Sequence, residues 1–251
     1  MLDNPKSAQR ISVIIRTIGR PELAQAVASV CAQSGFRRRP VIELVIVNAA
    51  QTMLPHFAVP DVSVREVRGG RSLNRPEAAN AGLDAATGDH LCFLDDDDWF
   101  HPDHLASLLD ALSRHPQSRV AYSGALLVQA DGRPYGRLNR PFDRGALLRA
   151  NYIQMGAALF HRSLLAEGAR FDETLLNFQD WDFWLQLADR TDFVHTGRTT
   201  LSWRAFSGGS GSGMGANANA AVQASYTERV QRKWMRMLSR RAATRDGALA
   251  T

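Results

Sequence analysis

Three short apolar runs constrain the fold of this chain more than any other feature: ISVIIRT at 11–17, VIELVIV at 41–47 and HLCFL at 90–94. Each is too short for a typical helix, rich in β-branched residues and apolar at nearly every position, the mark of a strand covered on both faces. The segments between them change period. After Pro21, residues Leu23, Ala26, Val27 and Val30 recur at helical spacing. Pro76 opens a second such pattern with Ala79, Leu83 and Ala86 inward, and Gly88 is expected to close it near the C-cap. Val62, Val64 and Val67 suggest a further, partly exposed strand. This alternation predicts an α/β fold: one domain with a mostly parallel central sheet and helices on both faces. Ligands in such sheets gather beyond the carboxyl ends of the strands, and the third run leads straight into Asp95.

The rest of the chain reads as the completion of that domain over 11–206. A helix is expected at 102–113, a hairpin around Asp131-Gly132, a short strand at 156–160, a helix at 180–189 and a late strand at 199–204. Residues 1–10 are expected to be a flexible N-terminus. The stretch 207–220 (SGGSGSGMGANANA) is too rich in Gly, Ser and Ala to pack a core and is expected to be a flexible loop. A C-terminal helix and tail are expected over 221–251. The 251 residues suit one large domain. Cys31 and Cys92 have no metal-ligand spacing and read as small buried hydrophobes. No secretory leader and no apolar run long enough to span a bilayer are seen, so a cytoplasmic protein is expected, with a peripheral place at the inner membrane face open to it. A net charge of +5 suits an anionic ligand or surface. Nucleic acid is not expected as a partner, because the run of acidic residues repels phosphate unless a metal lies between.

The chemistry concentrates in FLDDDDWFHPDHL, 93–105. In an extended strand end, residues two apart face the same way, so Asp95 and Asp97 would point into one cleft and Asp96 away from it. Adjacent carboxylates repel, and a divalent cation relieves that repulsion. Oxygen ligands without Cys or His suit Mn2+ or Mg2+, which also take phosphate oxygens. The second concentration is NFQDWDFWLQLADR, 177–190. Asp180 and Asp182 on a helix point about 200° apart, so one of them can face a given cleft. A carboxylate there can act as general base on a hydroxyl, and the aromatic surface of Trp181 and Trp184 suits a sugar acceptor.

With these residues in view, the chain resembles the family 2 glycosyltransferases of the GT-A fold over roughly 11–204. SVIIRTIGRPELAQAVASVCAQ resembles the family's opening strand and helix. EAANAGLDAATGDHLCFLDDDDWFHPDHL resembles its approach to the DXD motif, FDETLLNFQDWDFWLQLA its acceptor-side segment, and SWR at 202–204 its late aromatic-Arg strand. The resemblance implies an inverting, metal-dependent transfer of a sugar from a nucleotide-sugar, with a UDP-sugar as the first expectation, to a saccharide or lipid-linked acceptor in surface polysaccharide or glycolipid synthesis. It implies Asp97 and Asp95 as metal residues and Asp180 as the catalytic base. Thr17, Asn48, Asn80, Asp95 and Asp96 would lie along the nucleotide-sugar site.

The sequence departs from the family pattern at several points. Asn48 stands where an Asp usually holds the base. Ala79 replaces an Arg, for which Arg71 or Arg75 could substitute. Gln179 replaces a Glu, and Phe206 replaces a His that often binds metal, leaving His195 as a weak substitute. These losses keep a non-catalytic nucleotide-sugar-binding module in play, and the acid run alone would also admit an aspartate-dependent phosphohydrolase. In the tail, Arg232, Arg236 and Arg240 share one helical face, with Trp234, Met237 and Leu238 supplying apolar surface, a pattern open to a solvated face packed on the domain or to a helix that meets anionic lipid.

Overall fold

A computed structural model of the chain describes residues 9–206 and 219–249, with side chains described as far as Arg240. The expected flexible N-terminus therefore lies, up to residue 8, outside the described residues, as does the Gly/Ser-rich stretch from 207 to 218.

The first half follows the α/β plan. Strand β1 (Arg10–Thr17) leads into helix α1 (Leu23–Cys31), whose Leu23, Ala26, Val27 and Val30 are all buried. Strands β2 (Val41–Asn48) and β3 (Val62–Arg68) come next. Helix α2 (Arg75–Ala85) begins at a capping box: the Asn74 side chain accepts from the Glu77 N–H, and the Glu77 side chain accepts from the Asn74 N–H. Strand β4 (His90–Asp95) then returns beside β1. These strands lie in the order β3-β2-β1-β4, and every pairing among them is parallel.

Gly88 does not close α2. The helix ends at Ala86 in extended conformation, and a Cβ on Gly88 would stand 2.5 Å from the Ser12 nitrogen. The glycine is there for close approach. Its N–H donates to Ser12 Oγ, which donates in turn to the buried Glu43 carboxylate, so the amino ends of the strands are tied by a satisfied polar knot.

The second half is mixed. The two-residue strand β5 (Trp99–Phe100) is followed by helix α3 (His104–Arg114), then by the hairpin β6 (Val120–Val128) and β7 (Pro134–Leu138). Helix α4 (Arg144–Arg149), a 3-10 turn at Met155–Ala157, β8 (Ala158–His161), the short α5 (Ser163–Ala166), α6 (Gln179–Ala188), β9 (Phe193–Trp203) and α7 (Ala220–Leu249) complete the chain. The sheet runs on as β4-β8-β6-β9-β5, with β7 on β6; β6 and β9 are parallel, and the other pairs are antiparallel. The mostly parallel expectation thus describes the first four strands, and the full sheet is mixed. Residues 96–98 alone join β4 to β5, too few for a crossover helix, so the chain turns back on itself there.

Helix α7 packs on the domain through Val230 and Trp234, both buried. Trp234 and Met237, expected to offer apolar surface outward, face the core instead. Among the described residues no helix is long and apolar enough to cross a membrane.

Candidate nucleotide-sugar site

In the order β3-β2-β1-β4, the chain leaves β1 in opposite directions toward β2 and β4. The crevice at such a switch point, beyond the carboxyl ends, is where open α/β sheets take ligands. Arg16 of β1 and Asp95 of β4 are direct cross-strand partners there, and Thr17 pairs with Asn48 of β2 one step further on.

Strand alternation ends at Asp95. The Asp98 N–H donates to the Asp95 carbonyl at 3.1 Å, closing a turn over Asp96 and Asp97 before β5 begins. Asp95 and Asp97 remain within electrostatic reach of each other, but Asp96 does not turn away from them as strand alternation would have it. Asp95 pairs with the Arg16 guanidinium. Arg20 Nη1 lies 3.0 Å from Asp96 Oδ1 and 2.9 Å from Asp97 Oδ2, so Asp96 and Asp97 share one cation. Asp96 also accepts from Thr17 Oγ1 at 2.7 Å. Asp98 is buried, accepting from Gln154 Nε2 at 3.0 Å and from the Arg204 N–H at 2.8 Å. That last bond ties the SWR strand to the acid run, and Arg204 lies over the Trp99 ring, 5.1 Å from its centroid.

These surroundings set different proton affinities. Burial would raise the Asp95 carboxyl, but the Arg16 charge and hydrogen bond, with Arg75 and Arg20, hold it below the ordinary carboxylate value. Burial, reinforced by the Asp95 charge, pushes Asp97 up to about 6 despite Arg20. Burial and the neighbouring Asp97 and Asp95 charges push Asp98 well above the carboxylate range.

Asp180 and Asp182 point apart on α6, in keeping with their helical spacing. Asp180 accepts from Asn151 Nδ2 at 2.9 Å; burial raises its carboxyl, while the Arg16 and Asp95 charges act on it in opposite senses. It therefore lies within electrostatic reach of the charge cluster at the acid run. Arg75 joins that cluster: its guanidinium is within electrostatic reach of Asp95 and Asp180, and its Nη1 donates to Asn177 Oδ1 at 3.3 Å. Asp182 is fully buried on the other side, accepting from Gln186 Nε2, Lys233 Nζ and Trp234 Nε1, each at 2.9 Å. Phe178, immediately before α6, adopts the left-handed conformation at φ 54°, a strained geometry of the kind that collects at functional sites.

Other expected site residues serve the scaffold. Trp181 and Trp184 are 1% and 0% exposed, and their indole N–H groups donate to the carbonyls of Leu147 and Ile153. They form core and cannot floor an acceptor site, because the amphipathic period of α6 turns both inward. Asn48 is buried, donating to the Thr52 carbonyl and Glu66 and accepting from the Thr52 N–H, so it shapes the loop after β2. Asn80 is buried too, clamped to both backbone groups of Phe171 and to Glu173. Thr17 is committed to Asp96 and to the Gly19 N–H. Arg71 turns outward and pairs with Glu77, leaving Arg75 as the arginine in the cleft. His195 lies beside Tyr122, ring centroids 4.8 Å apart, well up β9 from the strand end that meets the acid run. Sequence reasoning missed Arg16, Arg20, Asp98, Asn151 and Gln154. Arg16 and Arg20 sat in view, flanking Thr17 at the end of the first apolar run.

The family profile described as glycosyl transferase family 2 matches residues 12–167, more than half of the chain. The chain belongs to this family. The matched span takes in β2, β3, β4, most of β1 and the acid run, and stops short of α6. Among curated relatives, the uncharacterized glycosyltransferase YwdF of Bacillus subtilis is 27% identical over 190 residues, 71% of this chain and 68% of that protein. The amylovoran biosynthesis glycosyltransferase AmsB of Erwinia amylovora is 31% identical over 132 residues, 48% of this chain and 43% of AmsB. Solved structures share the fold. A mannosyltransferase from Pyrobaculum calidifontis, in complex with GDP-Man and Mn2+, aligns with TM-score 0.60 and 20% identity, covering 82% of this chain and 60% of that one. TarS of S. aureus, in complex with UDP-GlcNAc, aligns with TM-score 0.62 and 14% identity, covering 78% of this chain and 58% of that one. The chain thus spans well under two thirds of AmsB and of both solved structures. These neighbours place the fold in the GT-A class.

Proposed function

We propose that this chain transfers a sugar from a nucleotide-sugar, a UDP-sugar by preference, to an acceptor hydroxyl with inversion. The carrying observation is the shared cluster: the Asp180 carboxylate lies within electrostatic reach of the same Arg16–Asp95 pair that opens the acid run. In the step, the acceptor oxygen forms a bond to the anomeric carbon while the bond from that carbon to the diphosphate oxygen breaks. The diphosphate leaves with the electron pair, and the acceptor proton passes to Asp180. A single displacement on the face opposite the leaving group inverts the centre.

Mn2+ or Mg2+ fits the donor set. The cleft offers carboxylate oxygens at Asp97 and Asp95, and among the described residues no group of three or more His, Cys, Asp or Glu side chains is arranged to hold an ion. A cation held by one or two carboxylates, with phosphate oxygens and water completing its shell, is the usual arrangement for Mg2+ at phosphate sites. When bound, it would neutralise charge on the leaving diphosphate. Arg75 adds a fixed positive charge, and Asn151 orients the Asp180 carboxylate.

Synthesis of a surface polysaccharide or glycolipid is the setting the relatives favour, AmsB being named for amylovoran biosynthesis. A cytoplasmic site at the membrane's inner face suits a lipid-linked acceptor, and the exposed side of α7 suits contact with anionic lipid. Arg232, Arg236 and Arg240 lie there with Met235 and Leu238, which are 61% and 42% exposed.

The experiment is a turnover screen of nucleotide-sugars against saccharide and lipid-linked acceptors, run with wild type and Asp180→Asn. Loss of transfer by about 10²–10⁴-fold in the variant, with donor affinity retained, supports Asp180 as the base. Near-normal turnover in Asp180→Asn removes it from that role.

A further inference from the structure

Three of the four carboxylates in the acid run already face an arginine. Asp95 carries Arg16, and Asp96 and Asp97 carry Arg20 between them. The position of Arg20 is built rather than incidental. The turn after β1 is fixed by the Gly19 N–H donating to Thr17 Oγ1 at 2.9 Å, while Thr17 donates to Asp96 at 2.7 Å. Gly19 is left-handed at φ +88°, and a Cβ there would stand 2.6 Å from Thr52 Oγ1. The Arg20 carbonyl accepts from the Leu23 N–H at 3.2 Å, which fixes the entry into α1. Backbone and side chain together therefore aim Arg20 at the two carboxylates. Its guanidinium occupies one edge of the Asp97 carboxylate, the edge a divalent cation would compete for.

We propose that Arg20 is a resident counter-ion of the metal position, holding Asp96 and Asp97 in the donor-free protein, yielding Asp97 to the cation, and then binding the donor diphosphate. This inference rests on the nucleotide-sugar reading above and adds a residue and an order of events to it. Without Arg20, Asp96 and Asp97 would repel across the turn. With Arg20, the cation must displace a tethered charge, so metal binds poorly alone and well when it brings a diphosphate. The freed guanidinium then meets phosphate oxygens, for which its planar fork is suited. The site thereby favours the metal–diphosphate pair over either part.

Two titrations test this. The first follows free Mn2+ by its electron paramagnetic resonance signal as nucleotide-free protein is added. An opposite charge within about 4–6 Å changes the affinity of a carboxylate for a cation such as H+ by one or more powers of ten, so Arg20→Gln is expected to bind Mn2+ about tenfold more tightly than wild type. The second measures UDP binding by calorimetry at saturating Mn2+, where Arg20→Gln is expected to bind roughly tenfold more weakly. Arg20→Lys keeps the charge on a shorter side chain without the planar fork that suits phosphate, so it should fall between the two in both titrations, and it carries the test should the Gln variant fold poorly. Unchanged or weaker Mn2+ binding in the variants overturns the proposal, as does unchanged UDP affinity. Failure of the nucleotide-sugar reading looks different: wild type would take Mn2+ and show no UDP binding at all.

Discussion

Replacing Asp182 should loosen the C-terminal helix without touching donor chemistry. Its buried carboxylate accepts from Lys233 Nζ, Trp234 Nε1 and Gln186 Nε2, each at 2.9 Å, and so joins α6 to α7. In Asp182→Ala the Trp234 indole N–H, in a 3% exposed side chain, loses its acceptor, at a cost of about 1–3 kcal/mol. Lys233 is left half-buried but keeps Asp172 at 2.8 Å, so its share falls well below the roughly 3–5 kcal/mol of a fully broken buried pair. A total of about 2–4 kcal/mol follows. For a chain of this size each kcal/mol moves Tm by about 2–4 °C, so melting should fall by roughly 4–16 °C. Urea unfolding gives the free energy directly, and hydrogen exchange should show the largest gain in α7 around Val230 and Trp234. UDP affinity in folded Asp182→Ala should match wild type. A stability loss under about 0.5 kcal/mol, the range of ordinary surface substitutions, would refute the clamp. A large loss of UDP affinity in protein that remains folded would refute the assignment of Asp182 to the scaffold.

Metal affinity should depend on pH through Asp97. Its folded-state pKa is raised to about 6, so below that value the carboxyl carries a proton that an incoming cation must displace. Mn2+ binding should therefore weaken by up to about tenfold per pH unit below about 6 and level off above it; Mn2+ titrations from pH 4.5 to 8 check this, and flat affinity across that range would contradict it. Gly82→Ala should destabilise the fold although alanine is the better helix former by about 1 kcal/mol. A Cβ there would meet Ile14 Cγ2 at 2.3 Å and Val47 Cγ2 at 3.2 Å, an overpacking cost of typically 1–3 kcal/mol that thermal melting would register.

β1, β2 and β4 were legible because each is a continuous apolar run, with helical spacing after β1 and before β4, while β3 showed only through its spaced valines. α1 and α2 bury Leu23, Val27, Ala79 and Leu83 as their periods indicate. The antiparallel half was harder to read, since β5 has only two residues and β8 only four, too short for any period to show. The acid run announced itself, but the direction of each carboxylate did not. A turn hydrogen bond from Asp98 to Asp95 replaced strand alternation, and arginines distant in sequence chose each partner. Trp181 and Trp184 illustrate the converse error. Aromatic residues beside a carboxylate suggest a sugar platform, yet on this helix they fall on the core side. Asn48 and Asn80 have the hydrogen-bonding capacity for a ligand, and here it is spent on the backbone of neighbouring loops.

On the proposed function, the turn at Asp95–Asp98 binds a nucleotide diphosphate together with a divalent cation. Calorimetry of UDP with wild type and Asp97→Asn, each in saturating Mn2+ and in EDTA, tests it most directly. The substitution keeps shape and removes the charge that would hold the metal beside the diphosphate. Wild type should bind clearly in Mn2+, and binding should weaken by about tenfold or more both in EDTA and in Asp97→Asn, in line with the loss of a charged ligand at a phosphate site. Equal affinity in the variant, or full binding in EDTA, would contradict it.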